Sequence, residues 1–202
     1  MIPVLAVDDP VAACRTLAAQ FGFAQVGPGR MAFGSAQIAV VGSRALPGAL
    51  IPRQLDHVAF QVPDADAVYR NFSAAGAELD PNFTPGGPRD IPQFWDHGVR
   101  FVFFQGPQGA PFEFCAKTAV TEPVDRGHSH FAIRSVDLDQ AEAALGAFGP
   151  TCIAQHTLPG TPQAVSVRFL RAGSVVFELF DEAPVVTHAD LSGWVGLLPD
   201  NL

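Results

Sequence analysis

The sequence is poor in three features, each of which would have pointed to a class of function. Basic residues are few: twelve Lys and Arg stand against twenty Asp and Glu in 202 residues, a formal charge of −8. Nucleic acids and anionic membranes are held by clustered basic side chains, so neither is expected as a partner. Cysteine is scarce too. Cys14, Cys115 and Cys152 are odd in number, far apart and match no zinc spacing, which argues against a disulfide framework or a Cys-based metal site and fits a reducing cytoplasm. Long apolar runs are also missing. No stretch reaches the roughly 18 residues that a membrane span needs, and Met1 to Val7 lacks the basic start of an export signal before Asp8-Asp9-Pro10.

What the chain does have is repetition. Three times an Asp opens a short amphipathic segment that a Gly closes: Asp9 and Gly22, Asp64 and Gly76, Asp137 and Gly149. Asp is a favoured helix N-cap and Gly supplies the left-handed stop, so each segment predicts a helix. A strand precedes each one. Asp56 to Val62 alternates in period two, placing Val58, Phe60 and Val62 on one face and His57, Ala59 and Gln61 on the other. Residues 129–135 and 2–7 stand in the same place before the third and first helices. In the first helix, Val11, Cys14, Leu17 and Phe21 share one side.

Hairpins follow the second and third helices. Residues 99–104 and 111–115 flank Gly106-Pro107-Gln108-Gly109, and residues 165–170 and 174–180 flank Arg171-Ala172-Gly173. The first copy has shorter strands near 30–33 and 37–41. Repetition at this scale signals one copied supersecondary unit. The expected organisation is α+β: a degenerate βαβββ module over 1–46, a second module over 54–118, a third over 126–184, and a tail from 185 to 202.

The copies differ in chemistry. His57 and His130 both stand seven residues before their capping Asp, where the first copy has Ile2. Glu113 and Glu178 both interrupt an apolar closing strand, while the first copy offers Gln37-Ile38-Ala39-Val40 and no acid. Side chains alternate along a strand, so each Glu is expected on the same sheet surface as its own module's His. A carboxylate on a largely apolar face is costly unless paired or coordinating a cation. Two imidazoles and two carboxylates at equivalent positions suit zinc, nickel or another divalent first-row ion. The alternative is that each Glu lies at a solvated sheet edge and each His merely starts a strand.

Other residues carry weaker signals. His97, in the long loop of the second module, either closes over the site or belongs to an ordinary surface loop. His128 shares strand parity with His130 and competes as a ligand. His156 and His188 fall in polar connecting segments. Arg100 and Arg168 face either a substrate anion or solvent. Seventeen Phe against one Tyr suggest a hydrophobic ligand, and strand phasing aims Phe104, Phe169 and Phe180 at the site.

The repeated βαβββ units resemble the vicinal oxygen chelate superfamily. A first-strand His in Leu55-Asp56-His57-Val58-Ala59-Phe60 and in Ser129-His130-Phe131-Ala132-Ile133 carries the likeness, with a last-strand Glu after Gly106-Pro107-Gln108-Gly109. Members include glyoxalase I, extradiol dioxygenases, fosfomycin-resistance enzymes and bleomycin-binding proteins. The resemblance implies that two modules pair into a cup-shaped mixed sheet with helices outside, and that His57, Glu113, His130 and Glu178 ligate the metal. A carboxylate from both modules is most similar to glyoxalase I. That implies a Lewis-acid metal, zinc or nickel, an α-hydroxycarbonyl substrate or its thiol adduct, and a glutamate, Glu178 before Glu113, moving a proton between neighbouring carbons. Two rivals are an iron(II)-dependent ring-cleaving dioxygenase using His57, His130 and Glu178, and a non-catalytic binder of an aromatic drug or metabolite.

The family's glutathione-binding arginine has Gln61 in its place after His57, while Arg134 occupies it after His130; both are expected substrate contacts. The first module, without ligands, either pairs with its counterpart in a homodimer or packs against the sheet edge of the second.

Overall fold

The computed structural model describes residues 1–48, 50, 55–118, 124–159, 164–182 and 193–199. His188 lies outside them, as do residues 49, 51–54 and 119–123 between the units. The first unit runs β1 (Ile2–Val7), α1 (Pro10–Phe21), β2 (Ala24–Gly27), β3 (Arg30–Phe33) and β4 (Ala36–Gly42). The second runs β5 (His57–Gln61), α2 (Ala65–Ala74), β6 (Glu78–Leu79), β7 (Arg89–Ile91), β8 (Val99–Gln105) and β9 (Pro111–Lys117). The third runs β10 (Gly127–Arg134), α3 (Leu138–Ala144), β11 (Thr151–Leu158), β12 (Val165–Ala172) and β13 (Val175–Phe180); β14 (Gly193–Leu198) follows. Each helix starts where its Asp accepts from the first backbone N–H groups: Asp9 from Val11 and Ala12, Asp64 from Ala67, and Asp137 from Gln140.

The second and third units share one mixed sheet in the order β11-β12-β13-β10-β5-β9-β8-β6, with β7 on β8. Its seam is β5 against β10. These strands are antiparallel, while each pairs in parallel with the closing strand of its own unit, β5 with β9 and β10 with β13. That topology brings both histidine-bearing and both glutamate-bearing strands to the centre of the sheet, within one chain.

One face of this sheet carries Val58, Phe60, Phe104, Phe112, Phe114, Phe131 and Phe177 into the main core. The other carries Ala59, Phe101, Phe103, Cys115, Ala132, Phe169 and Phe180, a smaller cluster around the site. A second sheet, β14-β1-β4-β3-β2, belongs to the first unit. Residues 193–198, within the expected tail, thus form a strand beside β1.

Within the chain, the first unit packs on a face of the large sheet rather than on the edge of the second unit. Its Phe21, Phe23 and Phe33 cover the broad core face of the large sheet, meeting Phe60, Phe112 and Phe114 at ring separations of 5.4 to 6.3 Å. A face of fully buried aromatic rings offers more apolar area than a sheet edge, which decides where the unit settles. Helix α1 buries Ala13, Leu17 and Phe21 and leaves Val11 62% exposed, so the buried stripe is rotated from the predicted one.

Candidate metal centre

His57 opens β5 and His130 lies mid-β10; Glu113 is the third residue of β9 and Glu178 the fourth of β13. All four are buried. Ladder register explains why they converge. Ala59 sits opposite both Glu113 and His130, and Ala132 sits opposite both His57 and Glu178. The two small residues leave a hollow at the seam, and the four long side chains fill it from around.

The four ligand atoms lie within 4.8 Å of one another. Both imidazoles enter through Nε2: His130 is 3.0 Å from Oε2 of Glu113 and of Glu178, and His57 is 3.2 and 3.5 Å from the same two atoms. Neither Nε2 makes a hydrogen bond of good geometry. Donors about 2.1 Å from one ion stand about 3.0 Å apart at right angles and about 3.4 Å apart at the tetrahedral angle. The His–Glu separations, 3.0 to 3.5 Å, are close to that range, and two imidazoles with two carboxylates are a suitable donor set for a divalent first-row ion.

The opposite ring nitrogens are held. His57 Nδ1 is 2.8 Å from Asp56 Oδ2, and His130 Nδ1 is 3.2 Å from Ser129 Oγ. In each unit the residue just before the histidine fixes the ring, so Nε2 is left for the cluster. The first support is anionic and the second neutral. Arg134 in turn donates through Nε to Asp56 and through Nη1 to Glu182 (2.9 Å), with its guanidinium over Phe83 and Phe180.

Burial opposes charge on all four groups, but their mutual attraction outweighs it. For His57, burial acts against the imidazolium, yet Asp56, Glu113 and Glu178 raise its pKa well above the ordinary value. His130 is likewise pushed up to about 9 by the two glutamates. Burial alone would raise both carboxyls; the facing His130 and His57 hold them below the usual range. Both glutamates are therefore ionised, the form needed for a ligand or a base.

Phe169 and Phe180 stand beside the cluster as predicted, 5.8 Å from the His130 ring and 6.1 Å from the His57 ring. Phe104 does not. It lies in the main core against Phe21 and Phe72, and Phe103 faces the site instead, 4.8 Å from the His57 ring. Because Phe103 is the ladder partner of Glu113, it shares that residue's face.

His128 is excluded as a competing ligand by a bulge at Ser129. Two residues there oppose one step of β5, which turns His128 to the other face, against Phe60 and Phe131 and with Nε2 3.0 Å from the Gln37 carbonyl. Gln61 directs its amide to the Asp125 carbonyl at 3.5 Å. Arg100 and Arg168 each lie on the strand before their unit's hairpin turn. Arg100 pairs with Asp66 and Asp90, Arg168 with Asp139 and Glu142, so acids of their own surroundings occupy both.

Phe94 and Trp95, from the loop between β7 and β8, pack on Phe169 at 5.0 and 4.9 Å, while His97 is exposed. The loop thus covers the site face through its aromatic residues. Two surface cavities lie elsewhere, one along α1 and β3 and one between α3 and β12.

No family model and no curated protein matches the sequence. The fold does find relatives. Glyoxalase I from Zea mays superposes with a TM-score of 0.61 at 16% identity, covering 91% of this chain and 67% of that one. A mutant 4-hydroxymandelate synthase from Streptomyces coelicolor gives 0.58 at 14% identity, covering 97% and 70%. The chain has the vicinal oxygen chelate fold. At such identities the likeness is one of architecture, and the chain spans about two thirds of the length of these proteins. Among the described residues no helix is long and apolar enough to cross a membrane.

Proposed function

We propose that this protein is a metal-dependent lyase or isomerase of the glyoxalase kind, acting on a small α-hydroxycarbonyl compound or its thiol adduct. The observation that carries this reading is the convergence of one imidazole and one carboxylate from each of two units on a single point. His57, His130, Glu113 and Glu178 would hold the ion. A bound zinc or nickel ion supplies Lewis acidity toward the vicinal oxygens of the substrate, favouring the negative charge of an enediolate.

The rest is the work of the chain itself. Glu178, the carboxylate set farther from His57, takes the proton from one carbon and returns it to its neighbour. Asp56 and Ser129 keep both histidines in the tautomer that presents Nε2. Arg134 anchors Asp56 and, from its place over Phe83 and Phe180, borders the substrate along with Phe169. Gln61 is the more remote contact. The aromatic face excludes water from the reacting carbons. Both units of the site lie in one chain, so the reading needs no second copy; a homodimer would add to it without completing it.

Elemental analysis of freshly purified, untagged protein tests the premise: close to one zinc or nickel per chain is expected. His130→Ala should lose the metal, and Asp56→Asn should weaken it by about tenfold or more. The loaded protein should consume the hemithioacetal of phenylglyoxal and a thiol without oxygen uptake. The aromatic lining suits two other readings as well. Bound iron with oxygen uptake on catechols would make this a ring-cleaving dioxygenase using His57, His130 and Glu178, and absence of any metal would leave a binder of aromatic compounds.

A further inference from the structure

A third imidazole nitrogen on the site face lacks a partner. His156 lies on β11 opposite Val167 of β12, two pairs along from Ala154 and Phe169, so its side chain shares the face of Phe169. Its ring lies 5.2 Å from Phe94 and 6.5 Å from Phe169. Phe169 in turn lies 5.8 Å from the His130 ring, so a single aromatic side chain separates His156 from the metal-ligating cluster. Nε2 of His156 is buried and makes no hydrogen bond.

An unmet buried polar group lowers stability by about 1–3 kcal/mol, so its persistence calls for a reason. The Nε2 atoms of His57 and His130 have theirs in the two facing glutamates. No acid faces His156 among the described residues. Phe94 and Phe169 lie against its ring and Val167 is its ladder partner, all apolar.

Resting on the metal-centre reading above, we propose that His156 is a substrate-contacting residue. It recognises the far end of a flat, apolar ligand whose near end presents two vicinal oxygens to the four-residue centre. The ligand class is then an aromatic or similarly planar molecule with an oxygen chelate at one end and a hydrogen-bonding substituent at the other. The body of the molecule replaces Phe94 and Trp95 against Phe169, and the substituent meets Nε2. A solely aliphatic two- or three-carbon substrate would leave that nitrogen unmet.

Benzohydroxamate and 4-hydroxybenzohydroxamate, planar oxygen chelators differing by one hydroxyl, serve as probes for calorimetry on zinc-loaded protein. The hydroxylated probe should bind wild type about fivefold more tightly, the worth of one net hydrogen bond. In His156→Phe, which keeps an aromatic ring against Phe94, the ratio should fall to about one while benzohydroxamate affinity and zinc content stay unchanged. His156→Leu gives the same reading should the larger ring disturb folding. A ratio that survives in both variants, or equal affinities in wild type, overturns the assignment of His156. If instead His130→Ala leaves binding of both probes intact, the centre is not where they bind, and the metal-centre reading itself fails.

Discussion

At the scale of single residues, the four buried ionisable groups make a prediction about pH. The imidazoles have raised pKa values, so their stabilising effect is complete below about pH 6.5 and is lost as pH climbs through about 9. The glutamates are depressed, and their contribution is present above about 4.5 and lost only in stronger acid. Metal-free protein should therefore show a falling Tm between pH 6.5 and 9. Binding of a cation displaces the imidazole protons, so zinc affinity should rise across the same interval and the loaded protein should keep its Tm. Calorimetric scans with and without chelator check both slopes; a flat metal-free profile would show that the imidazoles are neutral throughout.

These four residues could be read in the sequence because they recur in register in two copies, a pattern that survives ignorance of the fold. Phe104 could not be phased. Residues 101–104 are apolar on both faces because both faces are covered, so period two vanishes there. The face of His128 is not legible either, because a bulge breaks strand parity and nothing in Gly127-His128-Ser129-His130 marks one. His156 reads as a loop residue because β11 mixes Thr, Gln and His on a thinly covered outer strand.

At the scale of elements, the helices are legible from their capping Asp and closing Gly, whereas β2, β6, β7, β11 and β14 are not legible. Residues 193–198 have a short apolar pattern that only pairing with β1 makes a strand. The two large units also share a device that the sequence did not disclose. An arginine on the strand before the hairpin turn, Arg100 or Arg168, grips the acid two residues after the capping Asp, tying helix to sheet in both. The joint to the first unit is tighter. Gly34, at φ +62°, turns β3 into β4, and Ser35 N–H donates to the Arg126 carbonyl at 2.9 Å. A Cβ at Gly34 would stand 2.3 Å from that carbonyl oxygen. Gly34→Ala combines left-handed strain with a backbone clash and should destabilise by about 2 kcal/mol or more, lowering Tm by about 4–8 °C. Zinc content should not change, since the turn is on the core side of the sheet.

At the scale of the whole molecule, the first unit is a cover rather than a third active module. Phe21 is fully buried and meets Phe72, Phe104, Phe112 and Phe114. Phe21→Ala should lower unfolding free energy by about 3–5 kcal/mol in urea titrations while leaving one metal per chain. Loss of metal in that variant would mean that the cover also shapes the centre. Sequence alone named this unit's elements but not its seat, because seat selection depends on which aromatic face is broadest once the large sheet exists.

The β1–β14 ladder pairs Ile2 with Leu198. A ribosome adding about 5–20 residues per second leaves β1 on the order of ten seconds or more without that neighbour. One rim of the nascent first sheet stays open for this interval, a template for other chains. Its closure has to wait for residues 193–198 to leave the ribosome.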